Sequence, residues 1–120
     1  MLNNLASLPN VTRFQTVTLN NSGNTTSETV QTLGLLLVGI VIGGTWDTAN
    51  ITFTESTDNT NFYAKYDDSG NLYTVTAAAS HVLTVPAAKL VGMTGFLKVV
   101  ATAAQNTSSP RQIVLVLRAI

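Results

Sequence analysis

Leu33-Gly-Leu-Leu-Leu-Val-Gly-Ile-Val-Ile42 is the stretch on which the reading of the fold turns. It is about half as long as the ~20 residues that a bilayer-crossing helix needs. Its glycines and its β-branched Val and Ile suit a pleated strand better than a helix. Residues 35–42 therefore read as a buried strand. The stretch also fails to alternate, because apolar side chains fall on both faces. By contrast, Ile51-Thr-Phe-Thr54 does alternate, as a strand with one face in a core and one in water should. Residues 96–101 and 113–117 repeat the two-sided apolar character. In a two-layer antiparallel protein only one face of a sheet meets the core, so these three strands imply a second cover, most simply an oligomer partner. On this ground Leu36, Val38, Ile40, Leu97, Val99, Val114 and Val116 are candidate interface residues.

Turn chemistry divides the rest of the chain at regular intervals. Asn20-Asn-Ser-Gly-Asn24, Gly43-Gly44, Thr57-Asp-Asn-Thr-Asn61, Asp67-Asp-Ser-Gly-Asn71 and Thr107-Ser-Ser-Pro110 combine residues that tolerate positive φ with residues that bond to nearby backbone. Strands are expected between them, at 12–19, 26–32, 35–42, 51–55, 61–66, 72–76, 81–85, 96–102 and 112–119. Short strands at this spacing predict an all-β protein, an antiparallel β-sandwich of jelly-roll type. Pro86-Ala-Ala-Lys-Leu-Val-Gly92 suits a single helical turn, with proline at its start and glycine at its end. The predicted organisation is an N-terminal arm over residues 1–10 and one β-sandwich domain over 11–120. In the arm, Leu2, Leu5 and Leu8 sit at helical spacing in a segment too short to be stable alone, so they join the candidate interface.

Composition narrows the function classes. Six basic and six acidic residues leave no net charge, and charged residues make up 10% of the chain. There is no basic stripe for a phosphate backbone and no polybasic segment for an anionic membrane, so neither nucleic acid nor membrane is an expected partner. Weak surface charge favours association instead. At 120 residues the chain buries roughly two-thirds of its unfolded surface, enough for one core without cross-links. Residues 1–10 lack the basic and apolar regions of a secretion signal.

The parts of an enzyme are absent from the pattern. Cysteine does not occur, the sole histidine is His81, and no glycine-rich phosphate loop is present, so neither a nucleophilic triad nor a thiolate or paired-histidine metal site has its components. No catalysis, metal or cofactor is expected. His81 reads as a strand-end residue. Asp58, Asp67 and Asp68 resemble the carboxylates of a glycosidase pair or a calcium loop, but their neighbours make them turn formers. Trp46, Tyr63 and Tyr73 are candidate ligand contacts, since aromatic rings form platforms for sugars. Asn-X-Thr/Ser sequons, those at Asn10, Asn24, Asn50 and Asn106 among them, match what chance yields in so Asn- and Thr-rich a chain.

Read as a unit, Gly44-Thr-Trp-Asp-Thr-Ala-Asn-Ile-Thr-Phe-Thr-Glu-Ser-Thr-Asp-Asn-Thr-Asn-Phe-Tyr63, then Tyr66-Asp-Asp-Ser-Gly-Asn71 and Phe96-Leu-Lys-Val-Val100, resembles small virion proteins of tailed bacteriophages. The resemblance covers roughly residues 30–118 and rests on packing and turn motifs. The same order is similar to the discoidin or galactose-binding jelly roll, with Lys98 and Arg118 at that family's basic positions. What this implies is a structural protein of the virion surface: a capsid decoration or cement protein, self-associating and docked on other virion proteins such as the major capsid protein. The alternative it implies is a carbohydrate-binding or host-attachment module of a head fibre, collar or tail, with glycans as partner.

Overall fold

The computed structural model describes residues 11–21, 23–86, 94–105 and 111–119. The arm with Leu2, Leu5 and Leu8, the greater part of the expected helical turn, and the turn at 107–110 lie outside the described residues. Among the described residues the protein is all-β and antiparallel, without a helix. Its strands are β1 (Thr12–Asn21), β2 (Thr26–Ser27), β3 (Val30–Gln31), β4 (Leu36–Ile42), β5 (Ile51–Ser56), β6 (Tyr63–Ala64), β7 (His81–Thr84), β8 (Phe96–Ala101) and β9 (Gln112–Arg118).

The pairing order is β6-β5-β8-β2-β1-β9-β4-β7, with β3 also on β8. The chain thus builds two halves, β1-β9-β4-β7 and β3-β8-β5-β6, and weaves between them, which is the double Greek key of a jelly roll. The halves are joined where β1 meets β2, across a register shift between Leu19 and Asn21. Such bulges bend a strand and increase its twist, so one sheet can wrap around its own core. That core takes Val17, Leu37, Ile40, Leu115 and Leu117 from the first half and Ile51, Phe53, Leu97 and Val99 from the second, all without solvent exposure.

Three expected strands differ in detail, and that at 61–66 shortens to β6 with an isolated bridge at Tyr66. The expected strand at 26–32 is two short pieces, because Ser27 turns its hydroxyl into the ladder. The buried Ser27 Oγ accepts from the Val99 N–H (2.9 Å) and donates to the Glu28 carbonyl (2.8 Å), replacing backbone pairing at that point. Residues 72–76 hold only the isolated bridges Leu72 to Tyr66 and Val75 to Ile51. Here Tyr73 and Val75 turn into the core while Leu72 and Thr74 stay outside, so the alternation expected of a strand is present without a continuous ladder.

The turns follow their chemistry. Thr32-Leu-Gly-Leu35 has positive φ at both central residues, Leu33 (55°) and Gly34 (82°), and closes with Leu35 N–H to Thr32 carbonyl at 3.0 Å. This is a type I′ turn with leucine where asparagine or glycine is usual. Asp67 to Asn71 closes a three-residue hairpin loop with Gly70 at φ 82°, and Asp67 Oδ1 accepts from the Ser69 and Asn71 N–H groups at 2.9 Å each.

Candidate functional site

The first candidate surface is the outer face of the half β1-β9-β4-β7. Directly opposed residues of antiparallel strands point to the same side. Register therefore lines up Phe14, Val116, Gly39 and Thr84 in one row, and Thr16, Val114, Val41 and Val82 in the next. Phe14 is 69% exposed and Val82 74%, with Val41, Val114 and Val116 partly covered between them. A Cβ added at Gly39 would stand 3.5 Å from the Val116 Cβ, an ordinary van der Waals contact. Thr12, Thr18, Gln112 and Arg118 rim the patch, with Arg118 Nε on Thr12 Oγ1 at 3.2 Å. An apolar sheet face with a polar rim is the form of a docking surface.

The expected interface residues divide across this geometry. Leu36, Val38, Val114 and Val116 are half-buried within this half of the sheet. Ile40, Leu97 and Val99 are fully buried core residues, which corrects their assignment. For Ile40 the cause is a register shift between Leu37 and Gly39, which puts both Leu37 and Ile40 inward although three positions separate them. For Leu97 and Val99 the alternation with Lys98 decides the faces: Lys98 points outward, its Nζ 4.2 Å from the centre of the Phe62 ring. That signal was present in the sequence. So was the one for Phe14, which shares parity with Thr12 and Thr16 while Val17 and Leu19 turn inward.

The aromatic candidates also separate. Trp46 is buried, and its indole Nε1–H donates to the Ala49 carbonyl at 3.1 Å, bracing the loop before β5. Gln105 anchors the same loop. It is fully buried, accepts from the Asp47 N–H (2.9 Å) and donates to the Asp47 carbonyl (3.1 Å). Tyr73 stacks on Phe53 with ring centres 5.9 Å apart. Burial raises the pKa of its hydroxyl. Trp46 and Tyr73 are thus packing residues, whereas Tyr63 is 72% exposed and stands beside Tyr66, 56% exposed.

These two tyrosines line the second candidate surface, a cleft of about 390 Å³ whose wall includes Glu55, Asp58, Asn61, Lys65 and Thr94. Glu55 is buried, faces Lys65 Nζ at 3.3 Å, and accepts from Thr94 N–H at 3.0 Å. Asp58 Oδ1 accepts from the N–H groups of Asn61 and Thr60 (2.9 Å each) and from Ser56 Oγ (2.8 Å), while Oδ2 accepts from Asn61 Nδ2 at 3.0 Å. The backbone bond from Asn61, then that from Thr60 and the side-chain bonds, hold the Asp58 carboxyl well below its ordinary pKa. Its role as a turn former is as expected from sequence. His81 opens β7, exposed, with Nδ1 2.7 Å from the Ala79 carbonyl.

Fold and surfaces together define a small antiparallel jelly-roll module with an apolar sheet face and an aromatic cleft. Among solved structures the chain is similar to the SPBc2 prophage-derived protein YomS, at TM-score 0.52 and 9% identity, over 90% of this chain and 95% of that one. At that identity the likeness is one of fold. No family model and no curated protein sequence matches the chain.

Proposed function

We propose that this chain is a non-enzymatic structural protein of a bacteriophage virion, a capsid decoration or cement protein that bridges neighbouring subunits on the outer surface. The observation that carries the reading is the apolar outer face of β1-β9-β4-β7, where Phe14 and Val82 stand exposed in register with Val41, Val114 and Val116. The shared fold with a prophage-derived protein supports it. A cement protein adds to the cohesion of a shell whenever it binds the assembled lattice better than free subunits. Zero net charge suits close packing of many copies, and apolar contacts survive high salt. Its partners are further copies of itself and the major capsid protein.

Copy number in purified particles tests the reading. Quantitative mass analysis is expected to give a simple ratio to the major capsid subunit. A few copies per particle, as for a fibre or collar component, or absence from particles, overturns the cement role.

A further inference from the structure

We propose that the cleft beside Tyr63 and Tyr66 binds a neutral pyranose unit of a glycan chain. The proposal is independent of copy number, since a module on any part of a virion could present such a cleft. Register pairs Glu55 with Tyr63 across β5 and β6 and with Leu97 across β5 and β8, so the three side chains share the inward face of the sheet. Leu97 is sealed in the core, Glu55 is buried, and Tyr63 is open to solvent. The core face thus emerges at this end of the sheet in the Tyr63 ring, and Tyr66 joins it in lining the cleft. The cleft's 390 Å³ falls within the roughly 300–1,000 Å³ of small-molecule sites.

The chemistry of the wall selects the ligand. Exposed tyrosines offer flat, apolar ring faces with a polar tip, which suit the C–H face of a sugar ring. Around them are fixed hydrogen-bonding groups. Asp58 is pinned by its turn, and its Oδ2 takes one bond among the described residues, leaving acceptor capacity. Glu55 Oε2 is buried and is faced by the Lys65 ammonium at 3.3 Å. An ammonium has three N–H groups, so Lys65 can serve this carboxylate and still donate outward. Glu55 and Lys65 cancel in charge, and Asp58 leaves the wall net acidic. Hydroxyl-bearing neutral sugars are therefore favoured, and sialic or uronic acids are disfavoured.

The test uses the full chain on an array carrying neutral, N-acetylated, sialylated and uronic-acid glycans, followed by saturation-transfer NMR with methyl glycosides of the retained sugars. Neutral hexoses or N-acetylhexosamines are expected to bind saturably. The double variant Tyr63→Ala, Tyr66→Ala is expected to lose at least about tenfold in affinity, with an unchanged circular dichroism spectrum because both rings lie outside the core. Tyr63→Phe keeps the ring face and is expected to retain most of the binding. No saturable sugar, a preference for acidic glycans, or equal binding by the double variant each overturns the proposal, whatever the copy number in particles.

Discussion

Gln105→Ala is predicted to cost about 2–4 kcal/mol and to open the loop that carries Trp46. Three side-chain hydrogen bonds disappear: Asp47 N–H to Oε1 at 2.9 Å, and Nε2–H to the carbonyls of Asp47 (3.1 Å) and Ala103 (3.3 Å). Each is worth about 0.5–1.5 kcal/mol net, with the last the weakest by length. One buried methylene adds about 0.8 kcal/mol. For a domain of this size a loss in the middle of that range lowers Tm by roughly 10 °C. The assay is urea unfolding followed by fluorescence, for which Trp46 is the single tryptophan of the chain and the immediate neighbour of Asp47. The native emission of the variant should shift to the red as the indole gains water. Gln105→Glu keeps the acceptor but points a carboxylate at two carbonyls, so it should be at least as damaging. A loss under about 1 kcal/mol with unchanged native emission would refute the reasoning, and would assign the loop's order to the packing of Trp46 alone.

Leu33→Asn, at φ 55°, should stabilise by about 0.5–1.5 kcal/mol, because asparagine tolerates the left-handed region better than leucine; a lower urea midpoint would show that the half-buried leucine packs more than it strains. Phe14→Lys combined with Val82→Lys should leave stability within about 1 kcal/mol, both side chains being largely exposed, while abolishing self-association and docking. Light scattering and particle binding check this, and retained association sends the interface elsewhere. Asp58→Asn should weaken the protein more near neutral pH than at about pH 2.5. The folded carboxyl lies below its unfolded value near ~3.9, so its contribution is complete above that value and fades as pH falls. Paired urea midpoints at the two pH values test the sign, and a wild-type advantage that grows in acid contradicts it.

Local chemistry determined much of this protein. The β-branched and threonine-rich strands, the glycine and asparagine turns, and the all-β antiparallel class follow from preferences that act within a few residues. Asp67 and Asp58 were legible as turn formers because an aspartate binds the backbone next to it. The outward place of Val114 and Val116 was legible too, since Gln112 and Arg118 share their parity on β9. What only the tertiary structure decided depends on partners distant along the chain. A register shift at Val38, set by how β4 lies on β9, turned Ile40 inward. Trp46 and Tyr73 read as ligand platforms until Ala49 and Phe53 took them up. The buried Gln105 clamp spans 58 residues, and the Glu55–Lys65 pair beneath the tyrosine cleft exists because β5 ends where β6 turns back over it. Preference is a property of a residue and its near neighbours, whereas a face, a clamp or a cleft is a property of register, and register is settled only when the whole sheet closes on its core.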